Sequence, residues 1–356
     1  MRLARQPLVL CALVLPLLVS LAACGGNGPS ERAESGVARS SISTASIVLS
    51  EEPWSFGTSN GTLVTTPHYR VFTTERNATT RSRLAPFIEL SLMRYQEAFG
   101  GLPGPERQME TFLMANRPEW VRLTGQLMGR RAQPLMSIRR GGFALDGRAL
   151  LFDVGVHDTF ALIAHEGWHQ YTQTAFRERL PPWAEEGIAT TMEGFRWIGP
   201  SLDRPDFRPW ANRERYDQLR RVMKSGELLP LPMLVSVSPG ELLDDVKDAA
   251  LVYYAQVWAI ILFLEEGEGG RYRDGLRAMV SDAASGRIAI ETRARLIERG
   301  GAPQALRRYG GYVFGAYVGT DLERIEREFR AFIGEATGPG SAQAVFAGRS
   351  PIAGQS

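Results

Sequence analysis

Residues 165–169 read His-Glu-Gly-Trp-His. On a helix, side chains four apart sit one turn above each other, about 6 Å along the axis. His165 and His169 can therefore face one zinc ion, with Glu166 beside them to take a proton from a water on that metal. The chain holds only 4 His in 356 residues, namely His68, His157, His165 and His169. At that composition a chance match to the pattern is on the order of one percent. His68 falls in a β-rich stretch and reads as a polar strand residue.

The metal-binding segment must be a helix, and the residues before it read mostly as strands. Two β-rich runs flank Thr66-Pro67 between Gly61 and Arg76. Ser82 to Phe99 has helical spacing, and Gly100 to Pro105 ends it. Met109 to Met114 reads as a strand and Pro118 to Met128 as a helix with Pro in its first turn. Gly141 to Val154 reads as two strands around an Asp146-Gly147 turn. Asp158 or Thr159 is placed to cap the metal helix. Phe160, Ile163, Ala164, Gly167 and Tyr171 share one side of it, and His165 and His169 share the next stripe with Leu162. Gly167 costs about 1 kcal/mol relative to Ala in a helix, and either another element approaches closely there or the Gly is simply tolerated. Everything after Pro181 reads as helical: Pro182 to Gly194, Pro209 to Gly226, Leu243 to Glu268, Arg271 to Ser285, Arg287 to Glu298 and Asp321 to Ile333. The expected architecture is α+β, a small N-terminal β-sheet with the metal-binding helix plus a C-terminal helical lobe and a cleft between them.

The two ends have another character. Arg2 and Arg5 precede an apolar run from Pro7 to Ala23, shorter than a comfortable membrane span. Leu21-Ala22-Ala23-Cys24 resembles a bacterial lipobox, which implies cleavage before Cys24 and lipidation of that residue. The expected organisation is a signal peptide over 1–23, a flexible tether over 24–52, an α/β lobe over 53–180, a helical lobe over 181–335 and a flexible tail over 336–356. The implied location is extracytoplasmic and membrane-anchored, the outer membrane before the inner, because Gly25 follows Cys24 where inner-membrane retention is associated with Asp. The chain has 2 Cys, Cys11 and Cys24, so the body offers no thiol as ligand or nucleophile. A net charge of +2 without a dense basic cluster argues against nucleic acid as a partner.

Catalytic zinc usually keeps three protein ligands. The metzincin pattern needs Gly and His where this chain has Thr172 and Ala175, and a deformylase-like site needs Cys. Trp183-Ala184-Glu185-Glu186-Gly187 follows the motif instead. With it the chain resembles the gluzincin metallopeptidases, and within that clan the peptidase-MA-like domains of secreted bacterial proteins. The resemblance covers about residues 61–333 and is specific at His165–Tyr171 and Trp183–Glu193. It implies a zincin-like fold with Glu186 as third Zn²⁺ ligand, Glu185 matching a variable position. Glu193 matches a carboxylate that accepts a hydrogen bond from a zinc-bound imidazole; a solvated Glu is the plain alternative. The oxyanion donor falls at Tyr254, with Tyr253 as the other candidate, and two aromatics on an apolar helix also suit a core. The strands over 141–153 would offer an edge for a peptide substrate. Gly142-Phe143-Ala144-Leu145 stands where aminopeptidases carry Gly-x-Met-Glu-Asn, so a typical aminopeptidase is not expected. The expected function is zinc-dependent peptide-bond hydrolysis by a lipid-anchored metallopeptidase acting on peptides or proteins, with Glu166 as base. The alternative is a non-catalytic peptidase-like lipoprotein that serves as a binding or envelope-assembly factor.

Overall fold

Thr111-Phe112-Leu113-Met114 and Ala149-Leu150-Leu151-Phe152 are unbroken apolar runs around one Thr, the pattern of strands covered on both faces. The computed structural model, which describes residues 47–242 and 249–352, puts them side by side in a six-stranded sheet. Its strands are β1 (Ser50–Phe56), β2 (Ser59–Thr65), β3 (Tyr69–Thr73), β4 (Met109–Met114), β5 (Gly142–Leu145) and β6 (Arg148–Phe152), in the order β1-β2-β3-β4-β6-β5. β3, β4 and β6 run parallel, and the remaining pairs are antiparallel. Helices α1 (Ala78–Glu97) and α2 (Arg117–Met128) make the crossovers. Val71, Met109, Leu113, Ala149 and Leu151 face the core shared with α1 and the metal helix, α4 (Val156–Ala175). Phe112, Met114, Leu150 and Phe152 face Trp120 and Leu123 of α2, together with the short α3 (Ala132–Leu135). The α+β architecture expected from the sequence is the one observed.

Local chemistry sets several boundaries. Asn77 and Asn116 cap α1 and α2 with their side-chain oxygens. Asp146 and Gly147 adopt φ of 55° and 74°, the left-handed pair a tight hairpin between β5 and β6 requires. α4 is not capped by Asp158 or Thr159: it begins earlier, after Gly155 at φ 104°. The Thr159 hydroxyl instead accepts the Val154 N–H and donates to Asp153.

The second half contains α5 (Pro182–Met192), α6 (Arg213–Ser225), α7 (Leu231–Leu234), α8 (Pro239–Leu242), α9 (Ala249–Gly270), α10 (Arg273–Ser285), α11 (Ile288–Glu298), α12 (Arg308–Tyr317), α13 (Leu322–Ala336) and α14 (Ser341–Phe346). It is not wholly helical. β7 (Phe195–Ile198) and β8 (Arg204–Phe207) form a two-stranded sheet whose aromatic rings pack on Phe87 of α1. α9 is long and apolar enough to cross a membrane, and 78% of that stretch is buried inside the protein. Helical geometry breaks over Gly267–Gly269 at its end. The 24–52 tether is shortened by β1, which pairs with β2 from Ser50 onward. The tail also departs from expectation: Val345 of α14 is fully buried, and Ser341 hydrogen-bonds Tyr216 at 2.7 Å. One hydrophobic core runs from Tyr69 of the sheet to Val345 of α14. The segment read as a signal peptide, Cys24, and the first residues of the helix expected from Leu243 lie outside the described residues.

Candidate metal centre

α4 presents His165, Glu166 and His169 to α5, which supplies Glu185 and Glu186. Two glycines let these helices sit where they do. A Cβ at Gly167 would stand 2.6 Å from the Tyr95 hydroxyl of α1, which donates to the Ala164 carbonyl at 2.7 Å. A Cβ at Gly187 would stand 2.5 Å from the Val257 carbonyl of α9. Of the two readings open for Gly167, the close approach is the one present, and a second one fixes α5 on the apolar helix beneath it.

His165 Nε2 and His169 Nε2 lie 3.2 Å apart, and Glu186 Oε2 is 3.6 Å from each. All three residues are buried, with their ligand atoms within 4.8 Å of one another. Each imidazole turns its other nitrogen to a carboxylate. His165 Nδ1 is 2.8 Å from Glu193 Oε1, and His169 Nδ1 is 2.8 Å from Glu185 Oε1. Ionised carboxylates only accept, so each Nδ1 carries the proton and each Nε2 presents a lone pair. Two lone pairs and a carboxylate oxygen thus converge on one buried point. Three acceptors facing each other repel unless a cation sits among them, and an added proton can serve only one pair of them. The His165, His169 and Glu186 group can hold a metal ion.

The carboxylates behind the imidazoles are themselves held. Thr172 donates to Glu185 Oε1 at 2.7 Å. Glu193, expected as either solvated or imidazole-bound, is buried and accepts from Asn212 Nδ2 at 2.7 Å and from Arg215 Nε and Nη2 at 3.1 and 3.0 Å. Burial would raise its pKa, but the buried Arg215 guanidinium outweighs this and holds it at about 2. Burial acts the same way on Glu186, and when the two imidazoles carry protons their charge and hydrogen bonds overcome it, holding its carboxyl well below the usual range; positive charge at this point is what the carboxylate responds to.

Glu166 is shifted the other way. Burial raises its pKa and the Glu186 charge adds to this, while His165, His169 and the Ala144 backbone N–H pull against them. A carboxylate with raised proton affinity beside a metal site is suited to taking up and passing on a proton. Tyr254 of α9 is buried with its ring centroid 6.4 Å from that of His165, and the Arg215 guanidinium lies 5.3 Å from the Tyr254 ring centroid. Tyr253 turns away, its hydroxyl donating to the Val237 carbonyl at 3.5 Å. A cleft of about 360 Å³ reaches His169 and Glu186 between Phe143, Ala144 and Leu145 of β5 and Phe176 and Leu180 beyond α4. A second cleft of about 310 Å³ ends at Leu162, Glu193 and Arg215 on the other side.

Of the residues singled out from the sequence, His165, Glu166, His169, Glu186, Glu193 and Tyr254 are brought together, while His68 stands apart beside Glu89 at 2.8 Å. Glu185 was weighed as the other candidate ligand; its part behind His169, and those of Thr172, Asn212 and Arg215, were not anticipated. Glu185 had a discoverable signal, since it lies 16 residues after His169 and next to the candidate ligand. Arg215 had none, being one of 41 basic residues. Compared with known proteins, the chain matches no family model and no curated protein.

Proposed function

We propose that this protein is a zinc-dependent peptidase of the gluzincin type, anchored outside the cytoplasm through lipidated Cys24. The reading is carried by the convergence of two imidazole lone pairs and a carboxylate oxygen, 3.2–3.6 Å apart, with the Glu166 carboxyl buried beside them. Ligand atoms about 2.0–2.2 Å from a tetrahedral zinc stand about 3.3–3.6 Å from one another, so the donor set suits that ion. His165, His169 and Glu186 would hold it. When bound, zinc supplies Lewis acidity and lowers the pKa of water towards about 7.

The chain's own groups divide the remaining work. Glu166 takes the proton of the attacking water and passes it to the leaving amine. Glu193 and Glu185 keep the imidazole protons on Nδ1, leaving both Nε2 atoms available. The Tyr254 hydroxyl donates a hydrogen bond to the oxygen that gains charge as the carbonyl becomes tetrahedral. β5 is the outer strand of the sheet and borders the cleft, so a peptide laid along it passes His169 and Glu186.

Metal analysis of the purified protein, beside peptide-library cleavage by wild type and Glu166→Gln, tests the reading. Stoichiometric zinc with cleavage lost in the variant is expected. Equal cleavage by both proteins, or no stoichiometric zinc, overturns it; zinc without cleavage by either protein points to the non-catalytic binding role.

A further inference from the structure

Helix α11 is turned inside out at one face. Ile288 and Thr292 are buried against the body, yet Ile290 and Ile297 are 73% and 69% exposed. They lie seven residues apart, two turns along the same side, with Ala294 and Arg293 between them also exposed. An amphipathic helix packed on a core normally shows polar side chains there.

The charge around this stripe is as unusual as its apolarity. Segments 176–180 and 286–312 contain eight Arg and no Lys against three Glu; with Asp282 and Glu241, which pair with Arg287, Arg295 and Arg308, the surface carries +3 where the whole chain carries +2. The two segments form one continuous surface. Arg177 and Glu178 donate backbone N–H groups to Ala284 and Ala283, Glu178 accepts the Ala289 N–H, and Tyr309 of α12 donates to the Arg179 carbonyl. Arg293, within the stripe's length, and Arg299, just past the end of α11, are exposed, and neither has a carboxylate partner among the described residues.

We propose that this face docks on an anionic lipid bilayer. Two aliphatic side chains exposed on a helix of an arginine-rich surface match the boundary between acyl chains and anionic headgroups. The stripe is two side chains on one helix face and none of its residues lines a described cleft, which suits insertion between lipids better than the seating of a folded partner. The same surface includes Arg177, Glu178 and Arg179, which line the cleft that reaches His169 and Glu186. Docking would therefore bring the cleft mouth to the membrane plane and favour polypeptides lying at that surface as occupants. The docking itself does not depend on the zinc reading.

The experiment uses the full chain with Cys11→Ser and Cys24→Ser, so that one introduced thiol is unique. An environment-sensitive dye is attached at Ile297→Cys and, in a separate protein, at Lys224→Cys on the exposed end of α6. Both are mixed with vesicles of phosphatidylcholine alone or with a third phosphatidylglycerol. A blue shift and severalfold loss of iodide quenching are expected at position 297 with anionic vesicles only. The shift should be abolished by Arg293→Glu with Arg299→Glu, and position 224 should remain in water. The proposal is overturned by a dye at 297 that stays in water, by equal shifts at 297 and 224, or by a charge-reversed protein that shifts as before. A shift at 297 without vesicles that grows with protein concentration would identify a second copy as the occupant and overturn it as well.

Discussion

Replacing Glu193 by Gln tests how the centre is held. The carboxylate accepts four donors: His165 Nδ1 at 2.8 Å, Arg215 Nη2 and Nε at 3.0 and 3.1 Å, and Asn212 Nδ2 at 2.7 Å. An amide has one oxygen for them. With that oxygen towards His165, its NH₂ confronts Arg215 and Asn212. Turned round, it confronts Nδ1 and drives the imidazole proton to Nε2, the atom aimed at the metal. Loss of such an orienting group lowers metal affinity about 10–100-fold, or about 1.4–2.7 kcal/mol. Separately, the buried Arg215 loses its ion partner. An uncompensated buried charge costs about 3–5 kcal/mol, a large part of an ordinary stability of about 5–15 kcal/mol. The lower end applies, because Glu214 also acts on the Arg215 charge. Chelator competition for zinc and urea unfolding of the metal-free proteins read the two effects apart. Weaker zinc binding, together with an earlier midpoint at an unchanged denaturant slope, is expected. Zinc affinity within about twofold of wild type would refute the role given to Glu193 behind His165, even if stability fell.

Three further outcomes follow from particular contacts. Tyr254→Phe should lower peptide cleavage about 100-fold or more while zinc content stays unchanged; cleavage within a few-fold of wild type would remove the hydroxyl from the reaction. Gly187→Ala places a Cβ 2.5 Å from the Val257 backbone carbonyl, which cannot swing aside, so α5 must lift from α9. A loss of about 1–3 kcal/mol in urea unfolding, with weaker zinc binding, is expected despite the better helix propensity of Ala. For Glu119, burial alone would raise the pKa, but hydrogen bonds from Thr74 and Ser59 and contact with Asn116 lower it overall. A depressed carboxyl stabilises above its unfolded pKa and loses that contribution as pH falls through the folded value. Thermal scans between about pH 6 and pH 3 should therefore show a steeper loss for wild type than for Glu119→Gln.

The parts of this protein that were legible from sequence are those whose geometry is local. Asp146-Gly147 fixes its own hairpin, and the spacing of His165 and His169 puts them on one helix face before anything is known of the fold. Other parts depend on distant packing. Arg204-Pro205-Asp206-Phe207 has a proline and two charges in four residues, and is a strand because β7 pairs with it and its Phe207 ring meets Phe87. α12 carries Gly310, Gly311 and Gly315, a composition of low helix propensity, and no separate helix was expected there. There a Cβ at Gly310 would lie 2.3 Å from the Val235 carbonyl, so that glycine is required by close packing. The Gly- and Ala-rich composition of the tail conceals the buried Ala336, Ser341 and Val345. In the site, the gluzincin resemblance placed Glu186 at the ligand position but gave no role to Glu185, whose task appears only when Thr172 and the far side of His169 are in view.

The two halves differ in how far along the chain their contacts reach. β3 pairs Tyr69 with Met109, and β4 pairs Glu110 with Arg148, so each parallel ladder closes a loop of nearly 40 residues around a helix. His165 meets Glu186 and Glu193 across 21 and 28 residues, most of them in α4 and α5 themselves. Short-range helical contacts form faster than long-range strand pairings, because less chain entropy is lost before the contact is made. During folding the α4–α5 hairpin can close with its ligands in place while the sheet is still assembling. A metal ion held by His165, His169 and Glu186 at that stage would capture the hairpin early and act as a folding template.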